Sequence, residues 1–327
     1  MHKYFISASL FIACSAGYSS ESIAQQNTAS SYPDKPVTII VANLAAGTMG
    51  LEGRIYGHKL GERFGKPFVV DYKAGAGGSI GAAHVAKAVP DGYTLLFAST
   101  SFSVVPAFNE KLSYDPIKSF SPVSLISLRP NVLLVHPAFP AKNMKEYIDF
   151  AKANPGKINF GTSGNGGAQH LSGAWLHGMT NTEVAFVHYK GSGAVIPDLI
   201  SGRVDAFPAP LITAIPHIRS GKLRAIAVLS PNRSSLLPDV KTAIEEGISN
   251  FNVSSWAGFM ATGGTSTDIV NKLSTELEII AKDPDVAKVM EAGTVMVGSK
   301  PAQFAQLIND EVSRWRELVK KLGIKQD

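Results

Sequence analysis

Cysteine is almost absent: Cys14 is the only one in 327 residues, and it falls in an N-terminal segment that reads as removable. The rest of the chain therefore has no thiol, which excludes disulfides, cysteine nucleophiles and cysteine-held metals. Long apolar runs are missing too. The stretch after Lys3, in "MHKYFISASLFIACSAG", falls short of the roughly 20 residues that a membrane span needs, and no later segment reaches that length. With one basic residue, an apolar middle and Ser22-Ile23-Ala24 ahead of Gln25, residues 1–24 read as a cleaved secretory signal peptide. Lipidation of Cys14 behind Phe11-Ile12-Ala13 is the weaker reading, because the run ahead of it is short.

Charge of one sign is nowhere concentrated. The net charge is +5, yet no basic run exceeds Lys320-Lys321 and no aromatics interleave with it, which argues against nucleic acid as a partner. A mild positive field suits small anions. The eight histidines form no His-x-x-x-His pair, so no metal site is expected, and His84, His177 and His217 read as solvated or locally bonded surface groups. No internal repeat appears.

What the chain does have is a regular alternation of apolar runs and amphipathic segments. Strands are expected near 37–42, 67–72, 93–98, 121–127, 131–136, 158–161, 184–188, 203–207, 223–229 and 256–261. Helices are expected near 50–64, 79–88, 143–153, 167–178, 193–201, 211–219, 266–282 and 301–321. Such alternation implies an α/β chain with mainly parallel sheets. So many strands exceed one comfortable sheet, so two lobes are expected, with crossovers at "SLRPN" (127–131) and "SNFNVSS" (249–255). Lobe 1 would be 33–128 plus 255–327, and lobe 2 would be 129–254.

Three turns share one design: "LAAGTMG" (44–50), "AGAGGSIG" (74–81) and "GTSGNGGAQH" (161–170) each leave an apolar run, pass through glycines and enter a helix. Glycine lets a ligand approach peptide N–H groups, and a helix N-terminus favours an anion. Glycines also simply make tight turns; three such loops, all at strand ends, favour a carboxylate or phosphate cradle. Nucleotide fingerprints fail: Ile80 stands where the third glycine of a dinucleotide loop would be, and no Gly-Lys-Ser/Thr follows any turn. A nucleophile elbow at Ser163 fails because residue 165 is Asn, and His170 lies too far along the next helix to act as its base. Binding without turnover, and without a cofactor, remains.

The ordered blocks "YPDKPVTIIV", "KAGAGGSIGAAHVAKAVPDGYTLL", "LSYDPIKSFSPVSLI", "KINFGTSGNGGAQHLSG", "HYKGSGAVIPDLISGRVDA" and "IRSGKLRAIAVLSPNRSSLLPDV" resemble the periplasmic solute-binding receptors of tripartite tricarboxylate transporters, over about residues 32 to 324. The resemblance implies a two-lobed periplasmic-binding-protein fold (type II-like) with two interlobe crossovers, which closes on a small organic carboxylate and delivers it to membrane permease subunits. It implies that Ala46, Gly47 and Thr48 with Gly77, Gly78 and Ser79 hold one carboxylate through main-chain N–H groups and water. In the second lobe it implies Ser163, Gly164, Asn165 and Gly166 with His170 behind them, and Tyr189 and Lys190 closing the far side. Ser99 and Thr100 at the end of the third strand complete the polar set. The resemblance departs at "VANLAAGTMGLEGR", where Gly50 occupies the place of an acidic residue that would read an amino or hydroxyl group. Met49, Leu51, Phe102, Phe207, Pro208 and Pro210 suggest an apolar middle, hence a dicarboxylate with a nonpolar spacer. A secreted hydrolase and a ligand-loaded sensor module are the alternatives, and a monomer is the expected state.

Overall fold

Val37–Val41, VTIIV, is β-branched at every position, and Val37, Ile39, Ile40 and Val41 are fully buried. With apolar residues on successive positions such a strand must be covered on both faces. In the computed structural model, which describes residues 31–323 other than 44, 46, 47, 110, 190 and 291, that is where it lies. The proposed signal peptide and Cys14 fall outside the described residues.

The strands are β1 (Val37–Val41), β2 (Phe68–Tyr72), β3 (Thr94–Ser99), β4 (Phe120–Arg129), β5 (Asn131–Val135), β6 (Asn159–Thr162), β7 (Ala185–His188), β8 (Ala206–Pro210), β9 (Arg224–Val228), β10 (Ser255–Thr262) and β11 (Val295–Met296). The helices are α1 (Thr48–Phe64), α2 (Ser79–Ala86), α3 (Ser101–Val104), α4 (Met144–Ala153), α5 (Ala168–Thr180), α6 (Ser192–Ile200), α7 (Leu211–Arg219), α8 (Thr267–Ala281), α9 (Pro284–Val289) and α10 (Pro301–Leu322). They build two sheets, ordered β11-β4-β10-β3-β1-β2 and β7-β6-β8-β5-β9.

The sheets are mixed rather than mainly parallel. Parallel pairing holds for β2-β1-β3 and for β7-β6-β8, whereas β10 and β5 run against their neighbours. The cause is the crossovers. Strand β4 ends at Arg129, at the same end of its sheet as Ser99, and β5 starts two residues later, so β5 must run away from that end. Strand β10 enters the first sheet at the same level and runs back likewise. The two crossovers are tied to each other, since Asn131 Nδ2 donates to the Val253 carbonyl at 2.6 Å. Arg129 is also paired with Glu52 of α1, which is 1% exposed and accepts from Ser127 Oγ at 3.3 Å.

Alternation along β1 divides the first core. Ile39 and Val41 pack with Tyr56 and Leu60 of α1 and with Leu273 and Leu277 of α8. Ile40 faces the other side, toward Val85 of α2 and Phe304, Ile308 and Val312 of α10. The second sheet is covered by Met144 and Tyr147 of α4 on one face and by Val195, Leu199 and Ala214 of α6 and α7 on the other. Helix α10 opens at Pro301 and is closed by Gly323 at φ 61°, as its sequence signals indicated. Its second half runs beyond the first sheet, where Trp315 and Val319 meet Leu171 of α5 in the second lobe.

Candidate functional site

All three glycine loops sit at carboxyl ends of parallel strands, β1, β2 and β6, where ligands collect in open α/β sheets. In the first loop, Ala46 and Gly47 lie outside the described residues, while Thr48 is half-buried at the start of α1. The Ala45 carbonyl accepts from Arg54 Nη1 at 3.1 Å, and the same nitrogen donates to Tyr72 Oη at 2.8 Å. A brace of this kind fixes where the loop leaves β1.

The second loop makes four successive residues left-handed: Gly75 (φ 128°), Ala76 (47°), Gly77 (64°) and Gly78 (92°). Such a coil spends donors on itself. Gly78 N–H donates to the Gly75 carbonyl at 2.9 Å, and Ser79 N–H donates to Ala76. In this arrangement both amides are engaged within the loop. The Ser79 side chain is half-buried, and Gly77 is exposed at the rim. Gly77 and Gly78 share a small depression with Ser99 and Phe102, floored by Ala42, Ala82, Leu96 and Ala98. Thr100 is committed elsewhere, because its Oγ1 accepts from Trp256 N–H at 2.8 Å. Behind it, buried Glu311 accepts from Ser103 Oγ and, at 2.8 Å, from Trp256 Nε1. Burial pushes the Glu311 carboxyl above the ordinary range.

The second-lobe loop is likewise closed on itself. Gly167 N–H donates to the Gly164 carbonyl at 3.2 Å, Gly164 N–H points at Thr162 Oγ1 at 3.4 Å, and Gly166 N–H donates to His170 Nδ1 at 3.0 Å. Gly166 is thus not a free ligand donor here. Ser163 Oγ donates to Gln169 Oε1, not to a histidine, and the Ser163 carbonyl accepts from Gly191 N–H at 3.1 Å. Asn165 is half-buried between them. His170 is 7% exposed, and burial together with neighbouring His188 lowers it to about 4. Because its Nδ1 accepts, its ring proton sits on Nε2.

Tyr189 donates its hydroxyl to Asp198 Oδ2 at 2.7 Å, and Lys190 lies outside the described residues. Phe207 is 0% exposed in the second core with Val132 and Leu134, and Pro208 is buried opposite Leu133, so neither forms the cleft wall. Alternation along β8 turns Phe207 into the core, whereas Pro210 at the strand end borders a cavity of about 180 Å³ with Arg129, Asn131 and Ser255 at the crossovers. His177 is also no surface group: it is 5% exposed, with Nδ1 2.7 Å from Thr182 Oγ1 and Nε2 3.3 Å from Tyr147 Oη. His84 is exposed and His217 half-buried.

Sequence reasoning passed over His188. It is exposed at the end of β7, its Nδ1 is 2.7 Å from Thr162 Oγ1, and its ring lies 4.6 Å from that of His170. The signal available was the two-residue step from Phe186 to His188, which puts both rings on one face. It also passed over the second lobe-to-lobe contact, in which Trp175 of α5 meets the Trp315 ring edge-on at 5.8 Å and the Arg314 guanidinium at 4.1 Å.

The comparisons agree on what this frame is. The periplasmic binding protein BugD is 32% identical over 90% of this chain and 100% of its own, with a TM-score of 0.64. An R. palustris protein determined with adipate is 30% identical over 90% and 99%, with a TM-score of 0.66. MatC from Rhodopseudomonas palustris with bound malate is 30% identical over 88% and 100%, with a TM-score of 0.64. The model of the tripartite tricarboxylate transporter family receptor matches residues 53–324, and the chain belongs to that family of periplasmic solute-binding receptors, which bind and do not catalyse.

Proposed function

We propose that this receptor captures a dicarboxylate with an apolar spacer between a first lobe of residues 33–128 and 255–327 and a second lobe of residues 129–254, and presents the closed form to membrane permease subunits. One observation carries the reading: glycine loops from both sheets emerge at the same level as the two crossovers, so a short acid placed there lies within reach of both lobes at once. The relatives with adipate and malate support the acid class. Phe102, which lines the first-lobe depression, offers the spacer an apolar edge. The reading includes export with cleavage after Ala24, which intact-mass measurement of the secreted chain checks.

A melting series tests the binding. Adipate at a hundred times its Kd should stabilise the fold by about 2.7 kcal/mol, seen as a raised Tm with the acid recovered unchanged. No shift with any C4 to C8 dicarboxylate would overturn the reading, and consumption of the acid would replace it with an enzyme.

A further inference from the structure

We propose that His188 is the second lobe's recognition residue for the far carboxylate of the ligand, and that its imidazole takes up a proton as that carboxylate arrives. The proposal rests on the dicarboxylate reading above and deepens it.

Several donors on the second-lobe side are already spent. In the Thr162–Gly167 turn the amides of Gly164, Gly166 and Gly167 point at Thr162 Oγ1, His170 Nδ1 and the Gly164 carbonyl, and Ser163 Oγ points at Gln169. A carboxylate entering this side therefore finds these four donors engaged, which raises the weight of a donor beside the turn. His188 ends β7 beside it, directly opposite Thr162 in the parallel register. It is exposed, so its ring meets solvent at the cleft end of the sheet. Its other nitrogen is anchored: Nδ1 lies 2.7 Å from Thr162 Oγ1, and Thr162 Oγ1 also lies 3.3 Å from the Gly164 carbonyl. One nitrogen fixed leaves Nε2 to meet a ligand.

Among the described residues, the groups packed around it leave the charge to His188. From α5, His170 contributes a ring 4.6 Å away that is buried and neutral, with Nδ1 occupied. From β7 itself, Phe186 stacks parallel to the His188 ring at 6.4 Å and adds no charge. Further along, Asp198 of α6 is taken by Tyr189 Oη and by Arg203 Nη1, each at 2.7 Å. A carboxylate set against an imidazole raises the imidazole pKa by one to three units. Binding near neutral pH is then coupled to proton uptake, whichever tautomer the free protein holds.

The test compares adipate with hexanoate, which has the same chain length and a single acid, by titration calorimetry at pH 6.5 and 8.5 in two buffers of different ionisation enthalpy. Adipate should bind roughly five- to twenty-five-fold more tightly at the lower pH, with net proton uptake, as a shift of one to two units requires. In His188→Gln the pH dependence and the uptake should vanish while hexanoate binding stays unchanged. His188→Lys should restore tight adipate binding without the pH dependence. Equal melting temperatures of the ligand-free variants and parent show that the fold is intact. Adipate affinity that is independent of pH in the parent, or unchanged in His188→Gln, overturns the assignment of His188 while leaving the carboxylate reading standing. Absence of binding by both acids to the parent protein at both pH values overturns the carboxylate reading, and this proposal with it.

Discussion

Gly50 has no room for a side chain: a Cβ there would lie 2.2 Å from the Ala45 carbonyl oxygen. The departure noticed in the sequence thus has a packing cause in this chain, because Ala45 lies against the opening turn of α1. Gly50→Ala should push that loop outward, lowering stability by about 1–3 kcal/mol in denaturant unfolding. It should also weaken adipate binding at the same time, which calorimetry checks. The buried histidines make a second prediction. His170 and His177 are both lowered to about 4 by burial, whereas an unfolded chain protonates histidine near 6.5. Their contribution is therefore complete above pH 6.5 and is lost as the pH falls from 6.5 towards 4, by up to about 3 kcal/mol for fully buried His177. A melting series from pH 7 to 4.5 should fall steeply, and less steeply in His177→Asn once its general loss of stability is subtracted. At this scale the sequence was only half legible. It marked which loops carry the site, because glycine spacing is local. Whether an amide is spent on a carbonyl, as at Gly78, or on a ring four residues ahead, as at Gly166, depends on dihedral angles that composition does not encode.

Elements were read better than residues, since period-two and period-3.6 patterns decide them. Helix α10 was bounded from Pro301 and Gly323, and β1 from its β-branched run. The failures were short or proline-bearing: α3, α9 and the two-residue β11 are too brief to show a period, and β8 starts at Ala206 rather than 203 and runs through two prolines. Strand direction was misjudged because it is set by where a crossing chain enters the partner sheet, a non-local fact. One element joins both lobes without being a crossover. Helix α10 holds Glu311 under Ser103 and Trp256 at the first-lobe site, and one turn later lays Trp315 and Arg314 against Trp175 of α5, the helix that follows the second-lobe loop. Trp256 is 1% exposed inside the first lobe, packed on Phe304, and should be silent to lobe movement. Ligand-induced emission change should therefore survive Trp256→Phe, if that variant folds, and be largely lost in Trp175→Phe. The reverse pattern would remove the lobe contact from the mechanism.

On the scale of the whole molecule, the two lobes are joined by two short crossovers and, among the described residues, also meet where α10 packs on α5 and where Gly293 lies against Leu236 and Leu211, and a ligand can favour closure only by its differential affinity for the closed form. The crossovers are stiffened by Asn131 on Val253 and by Arg129 on Glu52, so the aromatic contact is the more adjustable of the restraints. Trp315 contributes a buried Nε1–H without a hydrogen-bond partner among the described residues, a cost that any arrangement giving it a partner or water would relieve. Truncating the facing ring in Trp175→Ala should then release part of the restraint without touching any residue placed against the ligand. Small-angle scattering of the free protein should broaden or shift in the radius of gyration, and adipate affinity should change by the same factor as the population of the binding-competent form. Scattering and affinity that both match the parent would mean that the α10–α5 contact does not set the lobe equilibrium, and that α10 merely covers the sheet on which it lies.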